Sequence, residues 1–202
     1  MFHPATKLVY INDLIGYGVF ATEFIPEGTI TYVKDALEIC VKPEEFEQYE
    51  KSLQEVIDKY SYMDQYGIRV VSWDFAKYVN HCCHCNSMST GYGFEIAIRD
   101  IQAGEQITDE YGLFNLTEAM PVACGLDFCR GQISPDDFDT LYMDWDQKVS
   151  KSIKQLFEVD QPLMNLIDAN TRSDMELLKN NPETYRSVYA LKYLPGSLEK
   201  VA

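Results

Sequence analysis

Gly104-Glu105-Gln106-Ile107-Thr108-Asp109-Glu110-Tyr111-Gly112 is the stretch on which the reading of this chain turns. It predicts a strand from Gln106 to Glu110, bounded by glycines, with Tyr111 at its end. Upstream lie Tyr78-Val79-Asn80-His81 and Gly16-Tyr17-Gly18-Val19-Phe20-Ala21. Two glycines around one residue let the backbone approach a ligand closely, or make a plain β-turn between strands. A histidine on a short apolar segment is more often structural than a base.

Outward from these segments, Lys7 to Ile11, Thr29 to Val33, Ala36 to Val41, Ile68 to Val71 and Phe94 to Ile98 are rich in Val, Ile, Thr and Tyr. Each reads as a short strand between turn signals. Pro43 opens a helix with Glu44, Glu45 and Glu47 at its positive end, and Phe46, Tyr49, Leu53, Val56, Ile57 and Tyr60 form one stripe read as core packing. Small β units separated by one helix indicate an α+β fold. Past residue 133, Ser134-Pro135-Asp136-Asp137 starts a helix with the stripe Phe138, Leu141, Trp145, Val149, Ile153 and Leu156. Asn181-Pro182-Glu183 starts another, carrying Tyr185, Val188, Tyr189 and Leu191 until Pro195-Gly196.

The 202 residues allow one domain with a modest appendage, and 46% hydrophobic residues suit a packed core. A net charge of −15 repels phosphate backbones, so no direct nucleic-acid partner is expected. The same charge attracts a basic, lysine-containing protein or peptide, although acidic surfaces also serve solubility alone. Met1 to Thr6 lacks a basic region followed by an apolar run, and no stretch is long enough for a membrane helix. The expectation is therefore an intracellular protein, cytoplasmic in preference to nuclear, with no membrane partner. The six cysteines, Cys40, Cys82, Cys83, Cys85, Cys124 and Cys129, are expected as thiols or metal ligands.

The three segments, in this order and at these distances, resemble the signatures of the SET domain, the protein lysine methyltransferase fold. The resemblance covers about residues 8 to 133. It implies small, mostly antiparallel β-sheets with a pseudoknot, which composition and periodicity alone would not give. The division expected is a SET domain over 1–115, a post-SET-like segment over 116–133 and a helical extension over 134–202. The resemblance further implies an S-adenosylmethionine site at Gly16, Tyr17, Gly18, Asn80 and His81, with Phe114 on the adenine. Tyr111 would orient methyl transfer, and Tyr32 and Tyr78 would line the lysine channel. His81 would hold the cofactor and not move protons. The helix after Pro43 falls where the family has an insert that helps form the substrate groove.

Departures from the family pattern bear on chemistry. Asp109 stands two residues before Tyr111, where members often carry Phe or Tyr, so the number of methyl groups added cannot be read there. An acid at the channel could hold the lysine as a cation, which opposes transfer. Cys124-Gly125-Leu126-Asp127-Phe128-Cys129-Arg130-Gly131 looks like the post-SET segment, which joins a cysteine of the Asn-His segment in a four-thiolate zinc site. Cys83, Cys124 and Cys129 match it, but Val122 stands in the remaining place. Structural zinc takes four ligands, so Cys85, His84, Cys40 or water would have to complete the set. The expectation leans to a loop without metal, held by Leu126, Phe128 and the helix after Ser134. Two other readings compete: a catalytically silent SET-like binding module, and a thiol-rich metal or redox protein built on Cys82 to Cys85.

Overall fold

The computed structural model describes residues 1–195; Gly196, half of the expected terminal stop, and the residues after it lie outside them. In chain order the elements are β1 (Thr6–Asn12), β2 (Gly16–Ala21), β3 (Ile30–Val33), β4 (Ile39–Val41), α1 (Pro43–Phe46) and α2 (Lys51–Tyr60). Then come β5 (Ser61–Met63), β6 (Arg69–Val71), β7 (Asn80–His81), β8 (Ser87–Ser89), β9 (Phe94–Ala97) and β10 (Gln106–Asp109). The chain continues through β11 (Met120–Pro121), β12 (Gln132–Ile133), α3 (Asp137–Ser152) and α4 (Ala169–Asn180). The sheets are β1-β2-β10-β7, β3-β9-β8, β4-β6-β5 and β11-β12. Pairing is antiparallel except between β7 and β10, which run parallel with Thr108 opposite Asn80 and Asp109 opposite His81. The small, mostly antiparallel sheets of the α+β SET fold are thus present.

The middle layer is β3-β9-β8, and every residue of β3 and β9 is buried. Strand side chains alternate between faces, and a register shift between Ile30 and Tyr32 turns Tyr32 to the face opposite Ile30. One face sets Ile30, Phe94 and Ile96 against Ile153, Leu156, Leu163 and Met175 of the C-terminal part. The other sets Tyr32 and Ala97 against Val19, Ala21 and Ile107. A third core joins Phe138, Trp145 and Val149 of α3 to Met88 and Leu113. The stripe predicted for α3 is therefore core, with Leu141 packed at its margin. Among the described residues no helix is long and apolar enough to cross a membrane.

Several expectations need correction. Gly16-Tyr17-Gly18 is not wholly a turn: Gly16, at φ 80°, closes the β1–β2 hairpin, and Tyr17 and Gly18 belong to β2. The helix from Pro43 is broken at residues 47–50, and its stripe is only partly core. Phe46 and Ile57 are buried, whereas Tyr49, Leu53 and Val56 remain 38–52% exposed. The small β4-β6-β5 sheet has too little surface to cover all of them. Helix α4 has no counterpart in the sequence reading, because only Met175 and Leu178 of its twelve residues are buried and the stripe is weak. No continuous helix follows Asn181. Short 3₁₀ turns at Pro182–Thr184 and Val188–Leu191 flank an extended step. The cause is Asp146 of α3, whose carboxylate accepts from Tyr185 Oη (2.8 Å), Ser187 Oγ (2.5 Å) and the Val188 N–H (2.8 Å). These bonds outcompete a helical ladder for the same residues.

Candidate active site

The two central signature segments meet along the β7–β10 pairing. Beyond it, the Cys82 N–H donates to the Asp109 carbonyl, and Asn86 binds β10 from the side, giving its amide to Gln106 O (2.8 Å) and accepting from Thr108 N (2.9 Å). The first signature segment joins them through Asn80, whose Nδ2 donates to Tyr17 O at 3.0 Å. Gly18 lets this happen: a Cβ there would lie 2.7 Å from the Gln106 amide and 3.1 Å from Asn80 Nδ2. Over Gly16 there is open space, with no atom within 4 Å of a Cβ. The His81 ring is fixed by Nδ1, which lies 3.0 Å from Asp109 O and 3.3 Å from the Tyr111 N–H. Burial holds its pKa below the ordinary histidine value, partly offset by Glu110, so the ring is neutral at pH 7. The ring is thus neutral and pinned through Nδ1.

Tyr111 begins a 3₁₀ turn just past β10 (Tyr111–Leu113) and donates its hydroxyl to the Val79 carbonyl at 2.5 Å. Burial, with the nearby Asp109 and Glu95 carboxyls, pushes the phenol far up, so it stays protonated. It lines a cavity of about 270 Å³ with Tyr32, Tyr62, Glu95, Asp109 and Phe114. Phe114 packs its ring 5.2 Å from Tyr111 and 5.5 Å from Tyr62. Tyr32, 3% exposed, is held by Glu38 and Ser72. Tyr78 does not line this cavity; its ring edges against Tyr17 and Tyr60 on the outer side. The structure thus gathers Tyr32, Asp109, Tyr111 and Phe114 on the cavity, sets His81 against Tyr111 and Asn80 against the Gly16–Gly18 segment, and places Tyr78 against Tyr17 off the cavity.

Three acidic or basic residues escaped the sequence reading. Glu110, 3% exposed, caps the Tyr111 turn by accepting from the Gly112 N–H and pairs with Arg130 at 2.5 Å. Arg130 also reaches Asp137 of α3 at 3.1 Å, and its backbone N–H lies 3.4 Å from Cys83 Sγ. Glu95 sits on β9 beside Asp109; the signal was an acid inside the apolar run Phe94-Glu95-Ile96-Ala97-Ile98. Gly112 is required for a related reason. A Cβ there would lie 2.8 Å from Trp145 Cη2, so α3 presses directly on the turn that carries Tyr111.

The cysteine loop does assemble. Cys83, Cys124 and Cys129 place their sulfurs within 4.8 Å of one another, with Cys83 and Cys129 at 4.0 Å. Backbone N–H groups, with the neighbouring thiols, pull the Cys129 thiol down to about 7. Among the described residues no fourth side chain joins the group: Val122 offers only its carbonyl, 3.7 Å from Cys129 Sγ, Cys85 is buried in the third core, and His81 Nε2 approaches Cys83 Sγ at 3.4 Å without joining the three sulfurs. Three thiols do not fit the four-ligand tetrahedron of structural zinc. The loop is held by other means. Phe128 is 63% exposed and touches only the His84 ring among aromatics, so it does not anchor the loop as expected. Arg130, bridging Glu110 and Asp137, does.

None of the curated proteins compared with the chain matches it. A model of the SET-domain family matches residues 16–112, a span that begins at the glycine turn, includes Asn80-His81 and ends just after Tyr111. SET domains are generally protein lysine methyltransferases. With the signature segments interlocked and the family model matched over the same span, the chain carries a SET domain over residues 16–112.

Proposed function

We propose that this chain is an S-adenosylmethionine-dependent methyltransferase acting on lysine side chains of a basic protein. The observation that carries the reading is the convergence of Tyr111 with Gly16–Gly18, Asn80, His81 and Phe114 beside one cavity with aromatic walls. The open backbone at Gly16, the Asn80 amide and the Phe114 ring suit a ligand with polar and aromatic ends. When bound, S-adenosylmethionine supplies an electrophilic methyl group on sulfur. The protein's share is positioning and exclusion of water. Tyr111, its proton committed to Val79 O, turns lone pairs toward the cavity and orients the reacting groups. The aromatic walls desolvate an incoming ammonium, which favours its neutral form. The net charge of −15 favours a basic substrate, and the attraction should weaken with salt.

One observation favours the silent binding module as the second reading: Asp109 in the cavity can hold an ammonium as an ion pair. Incubation with methyl-labelled cofactor and basic peptides separates the two, since only the enzyme places label on lysine. Tyr111→Phe should retain the fold and lose on the order of tenfold to several hundredfold in rate. Wild-type turnover in that variant would show that Tyr111 is the wrong residue.

A further inference from the structure

We propose that Asp109, backed by Glu95, is the proton acceptor that turns the substrate's lysine ammonium into the nucleophilic amine inside the Tyr111 cavity. The proposal rests on the lysine methyltransferase reading and adds a catalytic residue to it. Asp109 is the last residue of β10 and only 1% exposed. Its Oδ1 accepts the Glu110 N–H at 2.7 Å, while no backbone or cationic donor reaches the buried Oδ2, whose neighbour is the Glu95 carboxyl. Among the described residues no cation pairs with this buried carboxylate, so its charge is left uncompensated within the fold. Arg130 does not serve it, being engaged by Glu110 and Asp137.

The guest that completes Oδ2 must bring N–H or O–H groups and gains from positive charge. An alkylammonium fits, because Tyr32, Tyr62, Tyr111 and Phe114 present aromatic faces in the same cavity. Tyr111 cannot take the proton: its hydroxyl already donates to Val79 O and it remains a phenol. In a poorly solvated site an ion pair is disfavoured relative to a neutral amine beside a neutral acid. The step is R–NH₃⁺ plus Asp109 carboxylate giving R–NH₂ plus Asp109 carboxylic acid. One N–H bond breaks, one O–H bond forms, and the electron pair stays on nitrogen. The proton leaves to water when the product departs.

Glu95 divides the labour. Burial and the neighbouring Asp109 push its carboxyl well above the usual range, so it keeps its proton. Burial raises Asp109 as well, but bonds from Glu95 and the Glu110 N–H hold it to about 7, so it ionises first. The other groups facing the pair are accounted for. Tyr32 and Tyr62 are phenols pushed up by burial, as is the Cys85 thiol. Glu110 is paired with Arg130, Asp74 and the Met1 ammonium act on Glu95 with opposite sign, and Asp58, Lys59 and Lys77 also line the cavity.

The test is the pH profile of kcat at saturating peptide, with binding of n-butylammonium measured calorimetrically in parallel. In the wild type both should rise through an inflection near that of Asp109. Asp109→Asn should lose the inflection, fall about 100-fold or more at pH 7, and recover toward pH 10 as the amine deprotonates unaided. Its n-butylammonium binding should be flat between pH 5 and 8. A wild-type profile in Asp109→Asn, or a uniform loss at every pH, overturns the proposal and leaves the methyltransferase reading standing. Wild-type protein that methylates no peptide overturns that reading instead. Should Asp109→Asn not fold, Glu95→Leu serves: without the bond from Glu95 the kcat inflection should move up by at least about one unit, and an unmoved inflection overturns the proposal.

Discussion

Replacing Gly112 with alanine tests whether α3 supports the active-site turn through direct contact. The backbone of Gly112 is not left-handed, so alanine is conformationally allowed and only the added methyl matters. That methyl would lie 2.8 Å from Trp145 Cη2, 2.9 Å from Cζ2 and 3.1 Å from Glu110 Oε1. Overpacking of this kind costs about 1–3 kcal/mol, offset by about 0.4–1 kcal/mol from reduced unfolded-state entropy. A net loss of about 1–2 kcal/mol should lower Tm by roughly 2–8 °C in a chain of this size. Trp145→Phe alone opens a void and should cost about 2 kcal/mol. In the double variant the void accepts the methyl, so the combined loss should fall short of the sum by about 1 kcal/mol. Urea melts followed by far-UV circular dichroism measure all four corners of the cycle. Additivity within about 0.5 kcal/mol would refute the contact as the cause.

Asn80→Ala removes the bridge to Tyr17 O and should weaken S-adenosylmethionine binding in calorimetry; unchanged affinity would detach that bridge from the cofactor site. Asp146→Ala leaves three donors without their acceptor and should cost about 2–3 kcal/mol in urea melts; a loss under about 0.5 kcal/mol would show that water replaces it. Protein purified without chelators should carry far less than one zinc per chain by elemental analysis, and EDTA should leave activity intact; stoichiometric zinc lost together with activity would reverse this. Glu95 and Asp109 have folded pKa values above their unfolded ones, so their stabilisation is present at acid pH and lost as pH rises through the folded values. His3 and His81, lowered by burial, act oppositely, favouring the fold above about 6.5. Glu95→Gln should therefore gain stability relative to wild type as pH rises from 5 to 8, with a slope difference limited to about 1.4 kcal/mol per pH unit per proton; parallel curves would contradict the buried pair.

The strands nearest the site were legible because their patterns are local. Gln106 to Asp109, Phe94 to Ala97 and Ile30 to Val33 carry β-branched and aromatic residues between clear breaks, and α3 has an apolar stripe that packs as written. What escaped depends on partners distant in sequence. The extended step at Tyr185 to Ser187 exists because Asp146, some forty residues earlier, claims it. Stripe positions Tyr49, Leu53 and Val56 have helical periodicity but no facing sheet to cover them. At the site, resemblance supplied Tyr111 and Asn80-His81, whereas Glu95, an acid in an apolar run, and Arg130 gained a place only once β9 and the cysteine loop were seen beside β10. Tyr78 shows the converse: a matching position whose ring turned outward to Tyr17 and Tyr60.

The parallel pairing of β7 with β10 also governs when this protein becomes competent during folding. Asn80 and Thr108 are neighbours only after the intervening chain, including the β8–β9 hairpin, has been formed and closed into a loop. Long-range parallel contacts lose chain entropy before they return any energy, so they form late. Asn86, which joins three β10-side groups at once, cannot make part of that set in a half-closed loop. Tyr111, His81 and the cavity they border are therefore products of the last closure. A refolding chain should regain its secondary structure well before it regains the site, and a nascent or partly unfolded molecule has no diminished version of that site to offer.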